Sequence, residues 1–165
     1  APSRNGERSV LNLMMRRALA GQPLTVFGEG RCRRDFLHLS DVVDAFITAL
    51  SGTATGVFPI GTGVGTTLTD CFTLVAEEAE RLTGRRVPVT HVAEPADLHP
   101  IERRSAVVDS AAFTAATGWR PRTSLREGVR RDLTRFLSAA TSAAPSDAAV
   151  SAPIPGAGSK GAIAL

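Results

Sequence analysis

The stretch from Leu24 to Leu50, LTVFGEGRCRRDFLHLSDVVDAFITAL, decides how the rest of the chain is read. It opens on four β-prone residues, Leu24 to Phe27, introduced by Pro23 and stopped by the turn-forming Gly28-Glu29-Gly30. A basic cluster, Arg31-Cys32-Arg33-Arg34-Asp35, then leads into Phe36 to Leu39, whose alternation predicts a second strand. Ser40 stands where an N-cap belongs, ahead of a helix whose Val42, Ala45, Phe46, Ala49 and Leu50 share one face. Strand, loop, strand and helix follow one another, which is the grammar of an α/β fold.

The same grammar extends in both directions. Upstream, Val10, Leu11, Met14, Met15, Ala18 and Leu19 recur at helical spacing, predicting a helix over Arg8 to Ala20 that Gly21 ends. Downstream come an apolar strand, Val57 to Ile60, a glycine-rich turn, a helix over Thr69 to Thr83 ended by Gly84, and a strand over Val87 to Val92. A proline-punctuated loop, Glu94 to Pro100, precedes a short strand at Ala106 to Val108 and a helix from Asp109 to Gly118. Ser124 and Glu127 form a capping box for a last helix carrying Leu125, Val129, Leu133, Phe136 and Leu137 on one side. From Thr141 onward Ala, Ser, Pro and Gly make up 18 of 25 residues. Residues 1–140 are therefore expected to form the domain and 141–165 a disordered tail. The strands are few and short for a self-sufficient sheet, so a partner for them is expected elsewhere.

Composition narrows the function. With 165 residues and 43% hydrophobic content, the chain is long enough for one domain with its own core. No apolar run reaches the roughly 18 residues that a membrane helix needs, and Ala1 to Gly6 does not read as a signal peptide, so a cytoplasmic protein is expected. The two cysteines, Cys32 and Cys71, lack metal-ligand spacing and suggest neither a disulfide framework nor a zinc site. Eighteen of the nineteen basic residues are Arg, a surface chemistry suited to forked contacts with phosphate. A net charge of +3, without aromatic residues interleaved among the basic groups, argues against nucleic acid.

Three groups of residues could carry chemistry. Gly61-Thr62-Gly63-Val64-Gly65-Thr66 follows a predicted strand and precedes a predicted helix, as a dinucleotide-binding turn would. Thr66 stands where the third Gly of that fingerprint belongs and no acidic residue ends a strand about twenty positions on, so a structural turn is favoured. The cluster Arg31 to Asp35 has the chemistry to grip a diphosphate, but its spacing alone favours a solvated basic loop in which Asp35 neutralises a neighbour. His38, His91 and His99 form no pair with metal-ligand spacing, and structural roles are expected for His38 and His91.

Four segments together carry a resemblance: residues 21–30, GQPLTVFGEG; residues 34–45, RDFLHLSDVVDA; residues 60–63, IGTG; and residues 117–121, TGWRP. In order and spacing, over about residues 1 to 140, they resemble the carboxy-terminal half of the extended short-chain dehydrogenase/reductases that act on nucleotide sugars. The resemblance implies a Rossmann-type α/β protein whose amino-terminal half carries the coenzyme loop and a Tyr-x-x-x-Lys pair. This sequence has no Tyr, and its single Lys is Lys160 in the tail. It starts where the family's Tyr-Gly-Pro segment ends, so a coenzyme half is expected to be absent, with NAD or NADP bound mainly by that half. If the helix Asp41 to Leu50 and the strand Val57 to Ile60 pack against that half, they are expected to expose apolar surface here.

What the resemblance assigns to this chain is the grip on a nucleotide-diphosphate sugar. Arg34 would bind the diphosphate and the backbone of Thr25 and Phe27 would line the base. His99-Pro100-Ile101-Glu102 stands where epimerases have Arg-Pro-Gly-Asp, so Glu102 would hold a ribose hydroxyl, while His99 replaces the phosphate-binding Arg and Arg103 or Arg104 would compensate. Pro95 to Arg104 looks most like the branch that reduces dTDP-4-keto-6-deoxyhexoses in deoxysugar biosynthesis. The expected parent is thus an NAD(P)-dependent nucleotide-sugar reductase or epimerase, assembled as a homodimer. The alternative is a non-catalytic nucleotide-sugar-binding module or a truncated, inactive product.

Overall fold

The computed structural model describes residues 9–96 and 100–142. Helix α1, Val10–Leu19, begins at Ser9, whose hydroxyl accepts from the Asn12 amide at 3.4 Å, and turns off at Gly21, whose φ of +71° suits glycine. Strand β1, Leu24–Phe27, follows at the predicted positions and lies parallel to β4, Val89–Val92, with Leu24 opposite Val89 and Phe27 opposite Val92. The crossover between them contains α3, Leu68–Thr83, which is capped by Thr67 and ended by Gly84 at φ +68°. Helix α5, Leu125–Ser142, completes a layer in which α1, α3 and α5 pack on one another beside this parallel pair.

The period of each element decides what goes inside. On β1, Leu24 and Val26 are buried while Thr25 and Phe27 face away, as strand alternation demands. Met14, Met15 and Ala18 of α1, Phe72, Val75, Ala76 and Ala79 of α3, and Val129 and Leu133 of α5 fill the same core. Cys71 is wholly buried there, and burial, with Asp70 beside it, pushes its thiol up to about 12, so it behaves as a small hydrophobe. Glu78 is also buried, its carboxylate met by the Arg126 guanidinium, which also bonds Glu77 at 2.9 Å. The Ser124 hydroxyl accepts from the Glu127 amide at 3.3 Å, as a capping box requires, but the Glu127 carboxylate turns outward to Arg131.

The second half of the quoted stretch departs from its sequence reading. The strand is Arg33–Asp35 (β2), not Phe36 to Leu39, and it pairs antiparallel with Gly65–Thr67 (β3). Alternation at residues 36–39 misleads because Leu39 already opens helix α2, Leu39–Ser51. The N-cap is His38 rather than Ser40: the His38 ring Nδ1 accepts from the Ser40 amide at 3.2 Å. Residues 57–60 form no ladder among the described residues, and Ala106 makes a single parallel bridge to Arg34 in place of a strand. The predicted helix after Asp109 is α4, Ala111–Thr117, whose first turn is met by the Asp109 carboxylate at the Ala111 amide, 2.8 Å. The tail lies outside the described residues from 143 onward, and α5 itself reaches Ser142.

A small second core, Ala45 with Phe113 and Trp119, supports α2 from below, with Leu37, Ala49, Phe58 and Ile60 packed against it. The predicted helix face is split by this arrangement. Ala45 points in, whereas Phe46 is 63% and Leu50 86% exposed, together with Leu39, Val43 and Ile47. These five recur every three to four residues, so they form one bare apolar stripe, and Val57 is bare as well. A stripe of this kind predicts that the 165-residue chain associates or binds a hydrophobic dye. Replacing Phe46 and Leu50 together by Gln should cut dye fluorescence severalfold at unchanged melting temperature; a monodisperse wild-type monomer that binds no dye would contradict this reading.

Candidate functional site

A cavity of about 1490 Å³ opens between β1, the Gly28–Gly30 turn, β2 and the segment that carries Arg103 and Ser105. Thr25 and Phe27 reach it because they lie on the face of β1 opposite the core. Gly28 and Gly30, at φ +59° and +62°, fold the chain sharply at the end of β1, and Cβ atoms there would collide with Glu94 at 2.7 Å and with Thr69 and Val26 at 2.4 Å. The turn is tied down by the His91 ring, which donates to the Gly28 carbonyl at 2.8 Å, and by the Thr69 hydroxyl, which donates to the Glu29 carbonyl at 3.0 Å. His91 is therefore structural, as its strand position suggested.

Arg34 lines the same cavity. Its Nη1 donates to the carbonyls of Arg33, at 3.2 Å, and Arg104, which anchors the guanidinium against the wall. Arg103 stands on the rim, and its Nε donates to Glu94 at 2.9 Å. The structure thus brings together Thr25, Phe27, Arg34 and Arg103. His99, and the side chain of Glu102, lie outside the described residues. Arg31 also lines the cavity, but its guanidinium is paired with Glu29 at 2.7 Å, and both side chains are more than two-thirds exposed. Cys32 and Glu94 also line the cavity. Cys32 belongs to the basic cluster read from the sequence, whereas Glu94 was not singled out, because the β1 to β4 pairing is what places residue 94 beside residue 28.

On the opposite face of the same strand, the Asp35 carboxylate accepts from the Thr62 amide at 3.0 Å, the Thr62 hydroxyl at 2.5 Å, the Gly63 amide at 3.0 Å and the Val108 amide at 3.2 Å. Burial works to raise its pKa, but these bonds together outweigh it and hold the carboxyl below the ordinary aspartate value. Ser110 completes the lock, accepting from the Gly61 amide at 2.7 Å and donating to the Gly61 carbonyl at 2.9 Å. Every amide of the Gly61-Thr62-Gly63 turn is thus met by the chain itself, and a Cβ at Gly61 would strike Val108 at 2.5 Å. A turn already closed around a carboxylate does not fit a coenzyme pyrophosphate. His38 and Asp41 serve a second lock: His38 lies 2.7 Å from the Ser40 hydroxyl, and buried Asp41 accepts from the Thr123 amide and hydroxyl at 2.9 and 3.1 Å. No group of three or more potential metal ligands occurs among the described residues, and no described helix is long and apolar enough to cross a membrane.

With this geometry in view, the chain can be compared with known proteins. The family described as GDP-mannose 4,6 dehydratase matches residues 2–132. The chain belongs to the nucleotide-sugar epimerase/dehydratase family of extended short-chain dehydrogenase/reductases. It is 33% identical over 134 residues to a UDP-glucose 4-epimerase of Mycolicibacterium smegmatis, covering 80% of this chain and 40% of that protein. Against dTDP-glucose 4,6-dehydratase 1 of Escherichia coli the identity is 27% over 135 residues, covering 78% and 36%. The crystal structure of the Thermotoga maritima UDP-glucose 4-epimerase with UDP-glucose matches with a TM-score of 0.68 at 30% identity, over 82% of this chain and 41% of that one. The chain therefore spans well under half the length of these relatives. The Rossmann-type α/β fold expected from the four segments is borne out; the reductase branch is not distinguished by these matches.

The Asp35 contacts make a prediction with a definite sign. A carboxyl that titrates lower in the folded than in the unfolded chain stabilises the fold above its ordinary pKa of 3.8, and that contribution is lost as pH falls through the lower folded value. Asp35→Asn should cost about 1 to 3 kcal/mol in urea unfolding at pH 7. The gap to wild type should narrow when both are measured at pH 3. A gap of equal size at both pH values would show that the charge of Asp35 is not what the turn needs.

Proposed function

We propose that this chain is the nucleotide-sugar-binding part of an NAD(P)-dependent nucleotide-sugar oxidoreductase. The observation that carries the proposal is the cavity lined by Phe27 and Thr25 together with the guanidinium groups of Arg34 and Arg103. An apolar wall for a base beside guanidinium groups for a diphosphate is the division of labour that such a ligand requires. The relatives whose names mention UDP-glucose or dTDP-glucose support the same ligand class.

Among the family's reactions we favour 4-epimerisation of a UDP-sugar, because UDP-glucose 4-epimerases match at 33% and 30% identity, against 30% for a UDP-glucuronic acid decarboxylase and 27% for a dTDP-glucose 4,6-dehydratase. The reductase reading from residues 95–104 is the second choice, since Pro95 and Arg103 border the cavity and would touch the sugar or its phosphates. The coenzyme, when bound, would supply hydride chemistry at a sugar carbon. The described residues do not fit it: the Gly61–Gly63 turn is closed, and the sequence has no Tyr to move a proton. This chain's share is to hold and orient the sugar nucleotide, with the bare stripe of α2 facing the coenzyme-binding part of the relatives' longer fold. The 165-residue chain should therefore show no protein-dependent oxidation of NADH or NADPH with any nucleotide sugar, and measurable turnover by pure material would overturn that assignment.

Calorimetric titration of the chain with UDP tests the site itself. A charge-assisted bond to phosphate is worth roughly 1.5 to 3 kcal/mol, so Arg34→Ala should weaken binding by about ten- to hundredfold. Arg34→Lys should recover only part of the loss, because a point charge lacks the forked geometry. Arg31→Ala and Arg33→Ala should cost much less. Thermal unfolding of Arg34→Ala separates lost binding from a loosened segment 104–106, and equal losses at all three positions with a steep salt dependence would indicate a diffuse basic patch instead.

A further inference from the structure

Glu94 is the acidic side chain that crosses the rim of the cavity. It leaves the chain two residues after β4 and passes directly over the Gly28 turn, where a Cβ on Gly28 would sit 2.7 Å from its Oε1 and 3.0 Å from its Cγ. At its far end Oε2 accepts from Arg103 Nε at 2.9 Å. The two side chains are 37% and 54% exposed, so the pair stands at the mouth of the cavity, within reach of whatever enters. The turn is built to let it through: glycine at position 28 leaves the path of the carboxylate open, and its φ of +59° disfavours a side chain there in any case.

Resting on the reading of this cavity as a diphosphate site, we propose that Glu94 is a built-in competitor, an internal carboxylate that occupies Arg103 until a diphosphate displaces it. Carboxylate and phosphate are the two acceptors that a guanidinium fork recognises, and they compete for the same donors. A diphosphate also repels a carboxylate left beside it, so the two do not share Arg103 comfortably. An exposed ion pair contributes little, which makes the displacement cheap for a ligand carrying several negative oxygens. A nucleoside without phosphates has nothing to offer Arg103 and leaves the pair closed. Glu94 thereby lowers affinity for phosphate-bearing ligands, leaves recognition of the base untouched, and narrows the difference between UDP and uridine.

The test compares UDP with uridine on the full chain, using wild type, Glu94→Gln, Arg103→Gln and the double variant. Glu94→Gln keeps the shape and removes the charge. It should tighten UDP about two- to fivefold, the equivalent of an exposed ion pair, and leave uridine unchanged. Arg103→Gln should weaken UDP, and in its presence the gain from Glu94→Gln should vanish. An NMR readout of the Arg103 Nε–H resonance, free of ligand, should change in Glu94→Gln, and in wild type it should move as UDP is added. If UDP binds but Glu94→Gln binds it equally or more weakly, or if the gain survives without Arg103, the displacement proposal is wrong while the site stands. If UDP binds to neither wild type nor Glu94→Gln, the diphosphate site and the role given to Glu94 fall together.

Discussion

One carboxylate, that of Asp35, ties together three stretches of chain that are distant in sequence. It accepts from the amides of Thr62, Gly63 and Val108 and from the Thr62 hydroxyl, and so fixes the glycine turn and the segment after Ser105 against β2. Because successive residues on a strand point to opposite faces, the residue before it must look the other way. Arg34 does, its guanidinium held on the Arg33 and Arg104 carbonyls while Asp35 meets the turn. The Arg-Asp pair thus divides its labour by geometry alone: the acid organises the scaffold, and the base next to it is delivered to the site with its orientation already set. The β2 to Ala106 bridge and the Arg34 contact with the Arg104 carbonyl reinforce the same registration.

The apolar economy of the fold is lopsided. Three helices and the β1–β4 pair close a dense core around Met15, Leu24, Val75 and Leu133. On the other side, α2 rests on a core of only three buried residues and leaves its outer stripe to solvent. Two-stranded sheets hold marginally by themselves, and here each depends on its helices or on Asp35 for support. The dense side carries the cavity, since β1 contributes both core residues and cavity wall. The site is therefore anchored to the better packed part of the molecule.

The turn at Gly61 shows how a local pattern can mislead about its chemistry. Glycines after an apolar run are compatible with phosphate binding, but the same amides serve an internal carboxylate equally well. Which of the two occurs depends on whether an acid from another part of the chain reaches the turn first. In this protein Asp35 does, so the turn acts as an internal anion site whose anion is covalently part of the protein.

From the sequence alone came the elements whose signals are local: α1 with its glycine stop, β1 at Leu24–Phe27, α3 with its stop at Gly84, and the family resemblance carried by four spaced segments. Those signals are legible because capping, turn formation and periodicity depend on residues within a few positions of one another. Tertiary structure decided the remainder. Strand β2 sits three residues earlier than alternation suggests because its partners, residues 65–67 and 106, are long-range. His38 rather than Ser40 caps α2 because the chain enters the helix two residues sooner than the hydroxyl implied. Two of the five residues on the predicted face of α2, Phe46 and Leu50, are bare because burial depends on what packs against a helix, not on its own periodicity. Thr25, Phe27 and Arg34 were readable as candidates from their motifs, whereas Glu94 and its pairing with Arg103 emerge only when the parallel register of β1 and β4 sets residue 94 above Gly28.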